Sequence, residues 1–172
     1  MNLRVEEKED LPLVAEWLNN PDYFGEYNPL MQFSRTELEK RYADKSPEQG
    51  WFIIEKKDGT KIGSITHFPE GKQFEIGYAI IPNERAKGYC TEAVKIMVDY
   101  LFLAKDTVRI QAHIDPKNKA SQKVAEKAGF KKEGTIRKSF FTKGEWRDML
   151  LYSILREEWK EPKILTKTVP QK

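Results

Sequence analysis

The chain has 172 residues and a mass of 20.1 kDa, a size typical of one compact domain. Hydrophobic residues make up 39% of the chain and aromatic residues 12%, which is enough to bury a core and excludes disorder throughout. The net charge of +3 is small beside the 33% of residues that are charged. This balance excludes the strong basic excess of a dedicated nucleic-acid-binding protein, so we do not expect nucleic acid as a partner.

The sequence offers little material for disulfides or metal sites. Cys90 is the single cysteine, and the two histidines, His67 and His113, are far apart, so we predict no metal site. An unpaired cysteine is typical of a reducing compartment. The first residues are charged, and no stretch approaches the ~20 apolar residues that span a bilayer. These features predict a cytoplasmic protein with no membrane partner.

Two helices are predicted in the first part of the chain. The first runs from about Glu7 to Leu18, because its apolar residues recur on one helical face. The second begins after Ser34, since Ser34 and Glu37 have the spacing of a capping box. The stretch between them, Asp22 to Phe33, is predicted to be a loop rich in aromatic residues.

Three strand-like runs follow, and two turn sequences separate them. The turns are Asp58-Gly59 and Glu70-Gly71, which suit hairpins. The runs are Trp51 to Lys57, Lys61 to Phe68 and Gln73 to Ile81. This succession predicts an antiparallel meander.

The second half of the chain alternates between the helical and the strand period. We predict helices from about Tyr89 to Leu103 and from Asn118 to Ala128, and strands over Val108 to Ile114, Phe130 to Phe141 and Trp146 to Leu155. A strand-helix-strand-helix centre within an antiparallel sheet predicts a mixed α/β or α+β fold with one parallel pair of strands and a ligand cleft beside it. We expect a single domain over residues 1–159 and a loosely ordered tail over residues 160–172.

The turn before the long helix has the properties of an anion site. Its glycine, Gly88, allows close approach to a backbone whose helical N–H groups are unpaired, and Arg85 and Lys87 add positive charge. Phosphate or pyrophosphate is the natural guest, although a glycine in this position can also serve only as a cap. The sequence has neither G-x-x-x-x-G-K-[ST] nor G-x-G-x-x-G, which disfavours ATP and NAD sites.

Four stretches resemble one known family. Arg85-x-x-Gly88-x-Cys90 is similar to the pyrophosphate loop, Q/R-x-x-G-x-G/A, of the GNAT superfamily of N-acetyltransferases, with Cys90 where glycine or alanine is usual. The other stretches occur in the family's order: Glu75 to Tyr78, Asn118 to Ser121 with Glu126 to Phe130, and Asp148 to Ile154. The resemblance covers about Leu3 to Trp159. It is closest to the Rim-type group, whose best-known members acetylate N-terminal amines of ribosomal proteins.

The resemblance implies a fold and a co-substrate. The fold would be a mixed, mostly antiparallel central sheet flanked by about four helices, in which the family's β4 and β5 strands, here Gln73 to Ile81 and Val108 to Ile114, splay apart. Acetyl-CoA would place its pantetheine arm in that gap. The residues implied to contact it are Ala79, Ile80 and Ile81 on the strand, the backbone amides of Arg85, Ala86, Lys87, Gly88, Tyr89 and Cys90, then Thr91, and Asn118.

Two residues are candidates for proton transfer. The reaction needs a neutral amine, and Glu75 resembles the glutamate that some family members use as a base, although a solvated strand carboxylate is the alternative. Ser121 lies where Rim-type enzymes place a hydroxyl near the thioester sulfur, and Ala125 replaces the tyrosine that many relatives carry. The N–H of Ala79 would meet the tetrahedral oxyanion. Cys90 is assigned no catalytic role.

The acceptor is left open between a protein N-terminus and a small amine such as a polyamine, an amino sugar or an amino acid. Aromatic residues of the first loop and the last hairpin could line its pocket, although aromatics more often serve the core: Tyr23, Phe24, Tyr27, Phe33, Phe140, Phe141 and Trp146. A homodimer is also left open. The alternative function is a non-catalytic acyl-CoA-binding sensor or protein-docking module.

Overall fold

Seven strands form one sheet in the computed structural model, which describes residues 1–160. The strands are β1 (Asn2–Val5), β2 (Gly50–Glu55), β3 (Lys61–Glu70), β4 (Gln73–Ile80), β5 (Arg109–Ile114), β6 (Lys131–Thr142) and β7 (Glu145–Leu155). Their order across the sheet is β1-β2-β3-β4-β5-β7-β6, and only the β4–β5 pair is parallel. Of the tail predicted over residues 160–172, all but Lys160 lies outside the described residues.

Five α-helices of the described part of the chain cover the sheet. They are α1 (Leu11–Asn19), α2 (Pro21–Phe24), α3 (Arg35–Ala43), α4 (Tyr89–Ala104) and α5 (Lys119–Lys127), with 3₁₀ turns at Lys8–Asp10, Pro82–Glu84 and Arg156–Glu158. The predicted fold class and order of elements are confirmed, and β1 and α2 are added to them. Within residues 1–160, no helix combines the length and the apolar character that a bilayer crossing requires.

The first helix differs from its prediction at the N-terminus. It begins at Leu11 and not at Glu7, because Lys8–Asp10 forms a 3₁₀ turn in which the Asp10 carboxylate accepts a hydrogen bond from the Glu7 N–H at 2.9 Å. Arg4 donates two hydrogen bonds to the same carboxylate, at 2.8 and 2.9 Å, and thereby ties β1 to this turn. This ion pair holds the buried Asp10 pKa well below its usual range.

The capping signals in the sequence operate as predicted. The Ser34 hydroxyl accepts from the Glu37 N–H at 3.2 Å, and the Glu37 carboxylate accepts from the Ser34 N–H at 2.7 Å. In the loop that follows α1, Asn20 accepts from the Asp22 N–H at 2.9 Å and starts the single turn of α2. A side-chain cap next to Pro21 therefore supports a helix where a loop was predicted.

The parallel pair of strands separates soon after it forms. β4 and β5 are paired only at Phe74 with Ile110 and at Glu75 with Gln111. Beyond these two pairs, Ile76–Ile80 has its β3 partner on one side and an open gap on the other. The predicted splay of the two strands is thus confirmed, and it creates a cleft between their C-terminal ends.

The two faces of the sheet have different partners. Ile76 and Ile80 of β4 point to one face and pack with the buried apolar residues of α4, among them Ala93, Met97 and Leu101. Glu75, Gly77 and Ala79 alternate to the other face, where Ala79 packs with Val14 and Trp17 of α1. The gap between β4 and β5 therefore connects a face covered by α4 and α5 to a face covered by α1, α2 and α3.

His67 is a buried titratable residue in this core. Its side chain is 2% exposed and lies among the rings of Phe52, Phe74 and Tyr100, and no hydrogen bond to its Nδ1 atom occurs within residues 1–160. It is therefore neither at the surface nor bonded through Nδ1. Burial lowers the imidazole pKa to about 4 from 6.5.

We expect His67→Leu to remove part of the protein's acid sensitivity. Since the unfolded chain binds this proton below pH 6.5 and the folded chain only near pH 4, stability is lost as pH falls through that window. The difference in unfolding free energy between wild type and variant should change by about 2 kcal/mol between pH 7.5 and 4.5, measured by urea denaturation. The carboxylates titrate equally in both proteins and cancel from this comparison. If the difference in unfolding free energy does not change with pH, the buried imidazole is not neutral.

Candidate active site

The loop before α4 is shaped to accept an anion. Ala86 and Gly88 have φ values of +60° and +88°, so two left-handed residues turn successive amides of the loop toward one side. Within residues 1–160, the first N–H of this helix that has a partner is that of Glu92, which donates to the Gly88 carbonyl at 3.1 Å. The amides of Tyr89, Cys90 and Thr91 therefore lie at the open positive end of a 16-residue helix.

The first residue of the predicted loop has another role. The Arg85 N–H donates to the Pro82 carbonyl at 3.2 Å. Its guanidinium donates to the carbonyls of Ile80 at 2.9 Å, Asp22 at 2.8 Å and Tyr23 at 2.5 Å, and thus fastens α2 to the end of β4. Arg85 therefore holds the walls of the cleft together, and the amides available to an anion begin at Ala86.

The side chains of Lys87 and Cys90 belong to the same loop and helix start. Lys87 is exposed and donates to the Glu84 carboxylate at 3.1 Å. Burial raises the pKa of the Cys90 thiol to about 12, so the thiol stays protonated at neutral pH. A protonated thiol is a poor nucleophile. That Cys90 has no catalytic role stays a prediction.

The sheet register decides which amides of β4 face the gap. The Ile81 N–H donates to the Ile62 carbonyl of β3 at 2.9 Å, and Ser64 pairs with Ala79 in the same continuous ladder. Because backbone groups alternate along a strand, the N–H groups of Ala79 and Ile81 point to β3. Those of Tyr78 and Ile80 consequently point into the gap. Of the three strand residues predicted to contact the co-substrate, Ile80 therefore has its N–H in the gap, whereas Ala79 and Ile81 have theirs bonded to β3.

Ser121 lies across this gap from β4. Its hydroxyl is 2.9 Å from the hydroxyl of Tyr78, so a side-chain hydrogen bond bridges α5 and β4 where the sheet is open. Burial raises the Tyr78 pKa above its usual range, which keeps the phenol protonated. Asn118 caps α5 by accepting from the Ser121 N–H at 3.0 Å, and this bond fixes the first turn that carries Ser121. Tyr78 was not singled out as a functional residue from the sequence.

Glu75 has a partner that sequence analysis missed. Its carboxylate is 3.0 Å from Nδ1 of His113 on β5, on the face of the sheet opposite α4. The hydrogen bond to Glu75 raises the His113 pKa above its ordinary value, against the opposing effect of burial. Both side chains are partly exposed, at 36% for Glu75 and 23% for His113. The pair therefore lies at the vertex of the splay, within reach of solvent and of a ligand.

A cavity of about 230 Å³ opens on the same face as Glu75. Its lining includes Thr66, Phe68, Gly77 and the side of β4 next to the gap. Most of its walls are apolar and come from the helices and the intervening loop: Leu11, Val14, Leu18, Met31 and Leu38. This cavity can hold a small or extended ligand with one end at the splay.

The aromatic residues considered for an acceptor pocket were left open between that role and a place in the core. Among those that the structure describes, none lines the cavity. Tyr23 is buried, stacks on Trp17 with ring centroids 5.1 Å apart, and shares a hydrogen bond with the Ser64 hydroxyl at 3.0 Å. Phe141 and Trp146 are more than half exposed on the last hairpin. No group of three His, Cys, Asp or Glu side chains suited to a metal ion occurs within residues 1–160.

The chain has clear relatives. Residues 1–131 match the family described as acetyltransferase (GNAT) domain. A probable N-acetyltransferase of Bacillus subtilis strain 168, YjcK, is 33% identical over 165 residues, which cover 88% of this chain and 89% of that protein.

Solved structures share the fold. The spermidine N-acetyltransferase from Vibrio cholerae, crystallised in complex with CoA and spermine, matches with a TM-score of 0.81 and 25% identity, over 92% of this chain and 96% of that one. The ribosomal-protein-S5-alanine acetyltransferase from Vibrio fischeri matches with a TM-score of 0.78 and 24% identity, over 92% and 94% of the two chains. Together with the family match, these findings show that the chain belongs to the GNAT family of N-acetyltransferases.

Proposed function

We propose that the protein transfers an acetyl group from acetyl-CoA directly to a primary amine, either a protein N-terminus or a small molecule. The observation that carries the proposal is the parting of β4 and β5 between an amide-lined loop and a cavity. The loop suits the diphosphate of a carrier, and the cavity suits an acceptor on the other side of the sheet. The CoA bound to the Vibrio cholerae relative supports this choice of carrier.

The carrier would lie along the open edge of β4. Amides from Ala86 to Thr91 would bind its diphosphate at the positive end of α4. The N–H groups of Tyr78 and Ile80 face the gap, and that of Ile80 would bond the pantetheine arm as a neighbouring strand would. Asn118 uses its carbonyl oxygen as a helix cap, so its amide NH₂ is the group able to meet a pantetheine carbonyl.

The amine would approach from the cavity side, next to Gly77. A primary amine has a pKa of about 8 to 10, so most molecules arrive protonated at neutral pH. The Glu75–His113 pair lies on this face and would take the proton, directly or through one water. The neutral nitrogen then has a lone pair for attack on the thioester carbonyl.

The transfer itself needs no covalent link to the enzyme. The amine nitrogen forms a bond to the acetyl carbon, and a backbone N–H facing the gap, that of Tyr78, would stabilise the oxyanion. The nitrogen of the tetrahedral adduct carries a positive charge and gives up a proton to water. The carbon–sulfur bond then breaks, and the thiolate of CoA takes a proton from the Ser121 hydroxyl, which regains one from solvent water. The Tyr78 hydroxyl is hydrogen-bonded to Ser121 and would hold that hydroxyl in place. We place this reaction in the cytoplasm, which the unpaired Cys90 favours.

Release of CoA thiol from acetyl-CoA in the presence of a panel of amines tests the proposal. The panel contains polyamines, amino sugars, amino acids and peptides with free N-termini. We expect thiol release with at least one amine class and formation of the corresponding acetamide by mass spectrometry. A protein that only senses acyl-CoA would show a raised melting temperature with acetyl-CoA but no thiol release with any amine. This outcome would contradict the proposed enzyme activity and favour a binding module.

A further inference from the structure

The end of the cavity farthest from the gap contains two buried polar atoms without partners. Oε1 of Glu6 and Nε1 of Trp51 have no hydrogen-bond partner within residues 1–160, although the two residues are only 5% and 6% exposed. Both side chains line the cavity. An unmet buried acceptor or donor costs free energy, and such atoms in native proteins are usually satisfied by a ligand or an ordered water.

The sheet register connects this end of the cavity to the reaction site. The Glu6 N–H donates to the Trp51 carbonyl at 2.8 Å, Trp51 pairs with Thr66, and Thr66 pairs with Gly77. These four residues form one row across β1 to β4, on the face that carries Glu75. At about 4.8 Å between strands, the row is about 14 Å long from Glu6 to Gly77. An acceptor whose amine lies at Gly77 can therefore extend along the row to Glu6.

The charges around Glu6 limit which chemical group could bind there at the far end of an acceptor, away from its reacting amine. The Arg41 guanidinium lies 4.7 Å from the centre of the Trp51 ring, and the Lys45 ammonium lies 5.3 Å from it. Both cations attract the Glu6 carboxylate electrostatically, although neither forms a hydrogen bond to it within the described chain. The nearby negative charge of Asp10 is neutralised by its ion pairs with Arg4 and Lys61. A further cation would meet two positive charges there. A neutral group that both donates and accepts would satisfy Glu6 and Trp51 together.

We propose, on the basis of the function given above, that Glu6 and Trp51 select amine acceptors whose distal end carries an uncharged hydroxyl or carboxamide. The group would donate to Oε1 of Glu6 and accept from Nε1 of Trp51. The apolar walls between the two ends of the cavity suit an alkyl or similarly apolar connection. Glu6 and Trp51 are thus specificity-determining residues, and the reacting atoms lie at the opposite end of the row.

Three sets of probes that differ only at the distal end test this selection. They are ω-amino alcohols, α,ω-diamines and n-alkylamines, each from four to ten carbons long, and ethylamine serves as an acceptor too short to reach Glu6. For the longer probes, we expect the wild type to prefer the amino alcohol by about tenfold in kcat/KM over the alkylamine, mainly through KM. The diamine should have no advantage over the alkylamine.

The Glu6→Leu variant should lose this preference but retain the wild-type kcat/KM for ethylamine. Glu9→Gln, an exposed substitution in the neighbouring turn, is the matched control and should keep the preference. Because Glu6→Leu removes an unpaired buried carboxylate, we expect it to fold with no loss of melting temperature at pH 8. Glu6→Gln offers a second variant in which the preference falls while the shape of the side chain is kept.

Several outcomes would overturn the proposal. Equal efficiency of amino alcohol and alkylamine, or the same preference in wild type and Glu6→Leu, would mean that a bound water satisfies both atoms. A preference for the diamine that Glu6→Gln removes would show that the site selects a cation. Calorimetric titration of the amino alcohol into the CoA-saturated protein tests Glu6 without turnover: weaker binding to Glu6→Leu supports the proposal even if no acceptor reacts, whereas equal binding overturns it.

Discussion

Replacement of Gly88 by glutamate is expected to abolish the rise in melting temperature that acetyl-CoA gives the wild-type protein. Gly88 has a φ of +88°, and a Cβ atom there would meet nothing within 4 Å, so the side chain would project into the space offered to the diphosphate. Its carboxylate would also compensate the positive end of α4. At a hundredfold excess over Kd, acetyl-CoA should stabilise the wild type by about 2.7 kcal/mol, or about 5–10 °C, measured by thermal unfolding.

Gly71→Glu is the matched control for this substitution. Gly71 also has a positive φ, +63°, and open space around it, but it lies in the turn between β3 and β4. The control therefore also places a side chain at a left-handed position and adds the same charge, but away from α4, and it should retain the full shift. A full shift in Gly88→Glu, or its loss in both variants, would contradict the assignment of the diphosphate to this loop.

The second large effect is expected for Glu75→Gln. Loss of the carboxylate removes both a proton acceptor and the partner of His113, so kcat/KM with the best amine should fall by about 10²-fold at pH 7. The loss should shrink as pH rises, because a growing fraction of the amine is then neutral without help from the enzyme. Steady-state thiol release from pH 6 to 10 provides the profile.

His113→Gln separates the two members of the pair. If the residues act as one unit, each single variant and the double variant should lose similar factors, because the second substitution removes nothing further. Glu48→Gln, an exposed substitution outside the site, should keep the wild-type profile. Parallel pH profiles for wild type and Glu75→Gln would eliminate Glu75 from proton transfer.

The parts of the site that depend on local sequence could be predicted. The change of period at Tyr89 marked α4, and a glycine before the helix marked the loop, because a left-handed residue and unpaired helical amides are local requirements. The capping box at Ser34 and Glu37 was recognisable for the same reason. The splay of β4 and β5 came from the resemblance to a family and had no local signal.

The parts that depend on long-range pairing could not be predicted. β1 has only four residues, too few for a recognisable alternation, and it becomes a strand because β2 pairs with it. Without that pairing, nothing in the sequence places Glu6 beside Trp51. Likewise, the composition of β4 does not reveal whether Ala79 or Tyr78 turns its N–H toward the gap, since a shift of one residue reverses every group.

The Glu75–His113 pair also depends on long-range pairing and could not be predicted from the sequence. Alternation along β4 shows that Glu75, Gly77 and Ala79 share a face, but the partner of Glu75 follows from the register of a parallel strand far along the chain. The Arg85 side chain is a further case. Its charge suggested a phosphate contact, and the folded chain uses it to bind three backbone carbonyls.

The most direct test of diphosphate binding by this loop follows the backbone amide resonances of the ¹⁵N-labelled protein during titration with acetyl-CoA. We expect the largest shift changes on residues 86–91, and we expect them to saturate together at one equivalent. S-acetyl-N-acetylcysteamine, which carries the thioester but no diphosphate, should leave these resonances in place. Saturable binding of acetyl-CoA with unchanged resonances from Ala86 to Thr91 would contradict the claim that the amides before and at the start of α4 bind the diphosphate.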